Sequence, residues 1–373
     1  MTAYDSLQLT ADAAVPFQQE ANFWYVTGID EAGWQVVITR EQAWLVAPDV
    51  SDIHRVFDGG LTDAEARMRS GIDDVLSVES AGDLLVGLST KHSTAYTLKK
   101  DPHAVHYSFS LNPAPARLTR QLKRLFKEVR DIRPQLVQLR AIKRPEEVTA
   151  IKAAISLTID AFRSAKTVLP ELGYEYELEA EFTACFRRHN ARHAYDPIVA
   201  SGVNACTLHY GKNGMAWQDP SLVLIDIGAR LDSYAADITR TYATGVPTDR
   251  QREVHEAVLH AHRSIIALLR PGLSFEQYQE QSDAIVKDAL RSLGLLGGED
   301  DYRRYFPHAI SHGLGVDVHD SLGGFSMFKP GMVLTVEPGI YIPDEGIGVR
   351  LEDDILITET GYTNLSEALP LSL

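Results

Sequence analysis

The apolar positions change spacing along the chain, which divides it into an early stretch of short runs, a middle of helical period and a late stretch rich in strands. Between residues 22 and 46 the runs are Phe23-Trp-Tyr-Val26, Trp34-Gln-Val-Val-Ile38 and Ala43-Trp-Leu-Val46, broken by Gly28, Gly33 and Arg40-Glu41. Short apolar runs bounded by such breakers predict strands. Helical spacing follows over Asp63 to Ser70, Ala81 to Leu88 and Ala116 to Val129, with a further strand over His92 to Leu98. This mixture predicts a smaller N-terminal α/β domain over residues 1–136.

Gln135 to Pro145 mixes polar and basic residues and reads as the junction to a second unit over 137–373. Arg144-Pro145-Glu-Glu-Val opens a helix that runs to Val168. Proline in a first turn gives up an N–H that would be unpaired anyway, and acids there suit the positive end of the helix dipole. A helix near Tyr176 to Asn190 comes next, then acid-bearing strands, helices over Arg250 to Leu269 and Ser274 to Leu293, and a strand-rich end. This rough doubling of helices plus hairpin is the one sign of an internal repeat.

The strands end on acids. Ser221-Leu-Val-Leu-Ile-Asp226 is an apolar run closed by a carboxylate, and Tyr234-Ala-Ala-Asp237-Ile-Thr-Arg-Thr-Tyr242 follows it. A hairpin turning about Leu231-Asp232 sets Asp226 directly opposite Asp237, with Cβ atoms roughly 5 Å apart. Glu337, in Val333-Leu-Thr-Val-Glu337-Pro-Gly, and Glu352, in Gly348-Val-Arg-Leu-Glu352, are related in the same way about Asp344-Glu345. Like charges facing each other on one sheet face repel, so each pair calls for a cation between its members.

At 373 residues the chain suggests two domains. Its formal net charge of −15 argues against nucleic acid and anionic membrane as partners. A leader-like start and a membrane-length apolar run are both absent from the pattern, so a cytoplasmic protein is expected. The two cysteines, Cys185 and Cys206, are too few for a disulfide framework or a zinc ribbon and read as free thiols.

His312 joins the four acids as a fifth candidate ligand. Oxygen and imidazole donors without thiolate suit Mn²⁺, Co²⁺, Zn²⁺ or Fe²⁺. Two such ions roughly 3.5 to 4 Å apart hold a bridging water, lower its pKa and polarise a carbonyl, which makes amide or ester hydrolysis the natural reaction. Arg350, two residues before Glu352, is placed to balance residual negative charge from the second row. His209, His308 and His319 are candidate proton donors or hydrogen-bond partners for substrate. Pro307, Gly313 and Gly315 bracket His308 and His312, which argues against a helical metal-binding pair there.

With these residues in view, the chain resembles the metallopeptidases of the pita-bread fold, and within them Xaa-Pro aminopeptidase. The likeness covers Val137 to Ser366 and, more weakly, Gln18 to Gly28. It rests on Ile198 to Tyr210, Asp226 to Thr241, His308-Ala-Ile-Ser-His312-Gly-Leu-Gly-Val-Asp-Val-His319-Asp320, Leu334 to Tyr341 and Gly346 to Asp354. The resemblance implies an α+β architecture: a C-terminal pita-bread catalytic domain behind an N-terminal domain that serves oligomerisation or substrate access.

It further implies that Asp237 and Glu352 bridge two divalent metals, most readily manganese, while Asp226 completes one site and His312 with Glu337 the other. Glu337 would also shuttle a proton. His209 and His319 would hold the scissile region, His308 would line the proline pocket, and Tyr341 and Arg350 would support substrate binding from behind. Proline-containing peptides are the implied substrates. The N-terminal domain is shorter than in the best-known bacterial members, so a homodimer is expected. Prolidase, which cleaves only Xaa-Pro dipeptides, is the alternative within the fold, and a non-catalytic protein-binding module the alternative outside catalysis.

Overall fold

The computed structural model describes residues 1–99, 110–217, 221–298 and 301–373, and the chain divides into two compact units, Met1–Leu136 and Val137–Leu373. In the first unit, strands β1 (Gln35–Ile38) and β2 (Ala43–Val46) pair antiparallel, β3 (Asp74–Leu76) joins β2 in parallel, and β4 (Thr94–Thr97) pairs in parallel with β5 (Glu128–Asp131). Helices α1 (Ala21–Thr27), α2 (Asp52–Asp58), α3 (Asp63–Ser70), α4 (Val78–Lys91) and α5 (Pro113–Leu125) complete its described part.

Two expectations need correction here, and two elements were not expected. Phe23 to Val26 is helical, because Glu20 caps the turn by accepting the Phe23 N–H at 2.8 Å and Gly28 closes it in the left-handed conformation. A four-residue apolar run satisfies a buried strand and a short helix equally, and here the caps decide. The helix expected to reach Val129 stops at Leu125, and Val129 lies in β5. Helix α2 and strand β3 carry too little apolar periodicity to stand out, since α2 has no buried residue.

In the second unit, α6 (Arg133–Ala141, which begins in the first) precedes α7 (Pro145–Val168) and α8 (Glu175–Arg188). Glu147 fixes the start of α7 by accepting the Arg144 N–H at 3.0 Å, and its other oxygen accepts from Tyr234. Strands β6 (Arg192–His193) and β7 (Ile198–Ser201) lead to the first hairpin, built from β8 (Leu222–Ile227), β9 (Ala229–Leu231), β10 (Tyr234–Ala235) and β11 (Ile238–Ala243). Helix α7 packs on β9 and β10, and α8 on β6 and β7. The pattern then repeats: α9 (Asp249–Ile266), α10 (Phe275–Ser292) and the short α11 (Asp301–Tyr305) precede a hairpin of β12 (Val333–Val336), β13 (Gly339–Ile342), β14 (Ile347–Arg350) and β15 (Asp353–Ile357), with β16 (Tyr362–Asn364) on its edge. Helix α9 covers β12, β13 and β14. The core between them is aliphatic, with Val258, Ile265, Leu334, Val336, Val349 and Ile355 buried.

The second hairpin keeps the expected register: Gly339 faces Arg350 and Val336 faces Asp353, which places Glu337 across from Glu352. In the first hairpin the register differs by two residues. Asp226 pairs with Thr239, so Asp237 stands diagonally from it. The turn falls on Asp232-Ser233, both at positive φ, whereas an expected turn on Leu231-Asp232 would force a leucine into that region. Because side chains alternate with period two, a shift of two leaves both aspartates on one face.

Gly228 admits this geometry, because a Cβ there would lie 1.7 Å from the Ala236 carbonyl oxygen. Gly228→Ala is therefore expected to cost about 1–3 kcal/mol or more in thermal unfolding. The control Gly87→Ala, in helix α4 with nothing within 4 Å of the added carbon, should gain roughly 0.5–1 kcal/mol. Equal melting temperatures for the two variants would contradict this account of the hairpin.

Candidate active site

Four carboxylates and one imidazole meet where the two hairpins touch. The hairpins are joined by one backbone bond, from the Glu352 N–H to the Thr239 carbonyl at 3.1 Å, and by the Thr241 hydroxyl, which donates to the Arg350 carbonyl at 3.1 Å. Three overlapping groups result, Asp226 with Asp237 and Glu352, Asp237 with His312 and His319, and His312 with Glu337 and Glu352. Within each group the donor atoms lie within 4.8 Å of one another. Asp226, Asp237 and Glu352 are buried.

Such a cluster does not hold its charge by itself. Burial drives the Glu352 carboxyl well above the usual carboxylate range, helped by repulsion from Asp237, Glu337 and Asp226. Burial raises Asp226 in spite of the adjacent Arg350 guanidinium, and pushes Glu337 up to about 7 against the pull of His312 and Arg350. For His312, burial lowers the pKa, but the Asp237 and Glu337 carboxylates outweigh it and raise the ring to about 9. The Tyr195 hydroxyl lies 2.6 Å from an oxygen of Asp226 and 2.6 Å from one of Asp237, yet it has a single proton to donate. Hard oxygen donors and one imidazole, short of positive charge, fit a pair of divalent cations.

The side chains behind the ligands are held in turn. Arg350 donates from Nη2 to Asp226, from Nε to Thr239 Oγ1 at 3.1 Å and from Nη1 to the Tyr341 hydroxyl at 2.8 Å. The Thr239 hydroxyl donates a hydrogen bond to Glu352 at 2.6 Å. Thr335 accepts the His312 N–H at 3.1 Å and donates to Glu337 at 3.3 Å. His312 Nδ1 faces the Gly313 carbonyl at 3.0 Å, which leaves Nε2 turned toward Asp237 and Glu337.

Arg240 lies beneath the bridge with all five N–H groups engaged. Nη1 donates to the Thr239 and Glu352 carbonyls at 2.9 and 2.6 Å, Nη2 to Asp353 at 2.6 Å and to the Leu369 carbonyl at 2.9 Å, and Nε to the Pro370 carbonyl at 3.1 Å. Burial alone would raise Asp353, but the Arg240 charge holds it below the usual range.

The cluster opens into a cavity of about 330 Å³. His209, His308 and His319 line it, with Ile198, Leu208 and Val318 as its apolar wall. The His319 ring packs edge-on against His312, centroids 4.2 Å apart. His308 belongs to a directed chain: Arg350 donates to the Tyr341 oxygen, Tyr341 donates to His308 Nε2 at 2.7 Å, and His308 Nδ1 donates to the Ala309 carbonyl at 2.7 Å. Burial, with Arg350 nearby, lowers this ring to about 3 and keeps it neutral. Tyr341 thus stands behind the lining, and Arg350 both supports Asp226 and reaches the cavity wall.

All the candidate site residues come together, with Tyr341 behind the cavity lining. Tyr195, Thr239, Thr335 and Arg240 were not singled out from the sequence. Thr239 and Arg240 stood within a motif already noted. No periodicity marks Tyr195, whose role depends on a loop folding across a hairpin 31 residues further on.

The sequence profile of metallopeptidase family M24 matches residues 149–359, more than half of the chain. The chain belongs to that family. The profile of the aminopeptidase P N-terminal domain matches residues 1–96 of this M24 peptidase. It is 34% identical to the Xaa-Pro aminopeptidase of Haemophilus influenzae over 96% of this chain and 87% of that protein. For the Xaa-Pro aminopeptidase of Escherichia coli the figures are 35%, 96% and 88%. The solved structure of E. coli aminopeptidase P in its low-pH form superposes with a TM-score of 0.84 at 32% identity, over 99% of this chain and 90% of that one. A zinc-substituted form of the same enzyme in complex with product gives the same TM-score, identity and coverage. The architecture is the pita-bread fold behind an aminopeptidase P type N-terminal domain.

Glu337 and His312 bind their protons more tightly in the fold than in an unfolded chain. Stability from that source is complete below the unfolded pKa and is lost as pH rises through the folded one, from 4.5 to about 7 for Glu337 and from 6.5 to about 9 for His312. The chelated protein should therefore melt at progressively lower temperature across that window. Divalent ions replace the protons, so the rise in melting temperature they cause should grow with pH. Fluorimetric melts with and without chelator measure it, and an increment flat in pH would count against the cluster as the ion site.

Proposed function

We propose that this chain hydrolyses the peptide bond between an N-terminal residue and a following proline, with two divalent ions held by Asp226, Asp237, His312, Glu337 and Glu352. The observation that carries this reading is the convergence of those five residues in a cavity with three further histidines, in a chain about one-third identical to Xaa-Pro aminopeptidases along nearly their whole length. Asp237, His312 and Glu352 each belong to two of the three ligand groups, and of these only the two carboxylates have a second oxygen to offer, which supports them as the residues shared between ions. Bound there, the ions supply a Lewis-acidic centre that activates water and polarises the scissile carbonyl. Manganese is the preferred ion, because the donor set is oxygen-rich and without thiolate.

The protein's own groups do the rest. Glu337, on the cavity lining beside the other ligands, accepts the proton of the attacking water and returns it to the departing proline nitrogen. His209 and His319, on the open side of the cavity, hydrogen-bond the scissile carbonyl and the tetrahedral species that follows. An imide nitrogen carries no hydrogen, so the proline ring must be recognised by shape. His308, with both ring nitrogens already engaged, offers carbon surface for that purpose.

The N-terminal unit governs assembly or access, and the working form is a homodimer in the cytoplasm. Helix α2 supports self-association: Ile53, Val56 and Phe57 lie on one face and are 71%, 82% and 81% exposed. Both cysteines are free, which suits a reducing compartment. Among the described residues no helix is long and apolar enough to cross a membrane.

Chelated protein reconstituted with manganese, cobalt or zinc should release the N-terminal residue from Xaa-Pro-Xaa and longer peptides, with manganese giving the highest rate. Asp237→Asn should lose both turnover and a full complement of metal. Cleavage confined to Xaa-Pro dipeptides would make the chain a prolidase, and a metal-loaded protein inert to all of them would leave a binding module.

A further inference from the structure

One wall of the cavity is a loop whose apolar anchorage is confined to Ala205, Cys206, Leu208 and Tyr210. Residues 201–215 contain a single 3₁₀ turn, Gly202–Cys206, and then no strand before Ala216, while Val203 and His209 are exposed. Leu208, His209 and Gly211 from this loop face the cavity. Polar ties add to that packing.

Asn213 ties the loop to Val199, Glu179 and Pro197, and five further ties converge on one carboxylate. Glu175, the first residue of α8, is fully buried and accepts five hydrogen bonds. Oε1 receives the Ser201 N–H at 2.8 Å, the Ser201 hydroxyl at 2.7 Å and Asn204 Nδ2 at 3.1 Å. Oε2 receives the Tyr210 hydroxyl at 2.9 Å and the Met215 N–H at 2.8 Å. The donors begin eight residues before His209 and end six residues after it, and none is a charged group. The backbone closes the loop at the same place, with the Glu175 N–H donating to the Met215 carbonyl at 3.0 Å.

We propose that Glu175 is a positioning residue for catalysis: its buried carboxylate organises residues 201–215 and thereby fixes where His209 and Leu208 stand toward the substrate. This rests on the reading of the cavity as the peptide site. A carboxylate suits the task because it has only acceptors to offer to donors on every side. An amide of the same size turns one end into a donor facing donors, whichever way it flips. Glu175 contributes nothing to the metal cluster, whose residues stand on the two hairpins and on the segment around His312. Loss of the carboxylate should therefore separate substrate handling from metal binding.

The test uses the metal-loaded full chain with Glu175→Gln, and Tyr210→Phe as a milder variant that removes one of the five donors should the first fold poorly. Amide exchange of residues 201–215 is expected to accelerate. KM for an Xaa-Pro-Xaa peptide should rise and kcat/KM fall by about tenfold for Glu175→Gln, less for Tyr210→Phe. Manganese affinity, titrated calorimetrically into the chelated protein, should stay within about twofold, since the ligand set is intact. In a His209→Ala background the Glu175→Gln effect on kcat/KM should largely vanish. Unchanged exchange in the loop, a parallel loss of metal affinity, or an undiminished effect without His209 would each overturn the proposal. A wild-type protein inert to prolyl peptides would sink the functional reading, while the exchange measurement would still judge the loop.

Discussion

Mutual repulsion among four clustered carboxylates, three of them buried, is the constraint around which the catalytic unit is arranged. Asp226, Asp237, Glu337 and Glu352 would each be solvated at the end of an isolated strand. Two hairpins joined through Glu352 and Thr239 gather them into overlapping groups and remove most of the water. Four contacts oppose that repulsion: Arg350 on Asp226, Thr239 on Glu352, Thr335 on Glu337, and Tyr195 between the two aspartates. These donors soften the repulsion and orient the oxygens, and the proton affinities of Glu352 and Glu337 measure how much is left for cations to neutralise.

The same local field separates the histidines by role. His312 and His308 lie four residues apart, yet one is raised to about 9 and the other lowered to about 3. The difference is one of neighbours. His312 turns Nε2 toward two carboxylates, whereas His308 turns Nε2 toward a tyrosine hydroxyl that is itself held by a guanidinium. A ligand and a neutral wall residue can thus come from one short segment because its backbone is not helical there.

Much of this was legible in the sequence because charge and periodicity speak locally. Apolar strands ending on acids announced both hairpins, and Pro145 with Glu147 announced α7. The register of the second hairpin followed from its turn residues. The first hairpin slipped by two because a turn through Asp232-Ser233 is set by tolerance of positive φ, which is weaker as a signal than proline or glycine. Phe23 to Val26 failed for a related reason: four apolar residues carry no period, and the capping carboxylate of Glu20 was the deciding group. Long-range polar contacts were the least legible. Tyr195, Arg240 and Glu175 act across folded distance, and nothing adjacent to them in the chain marks it.

Arg240 also says where the working unit ends. The family profile closes at residue 359, but two of the five guanidinium N–H groups are satisfied by the carbonyls of Leu369 and Pro370, and Asn364 holds the free oxygen of Asp353 at 2.7 Å. The peptide bearing Glu352 is thus braced from a stretch that carries no ligand and no recognisable signature. A fragment trimmed to the matched region would keep all five ligands and lose the brace under one of them, so the catalytic body is larger than the motif by which it is recognised.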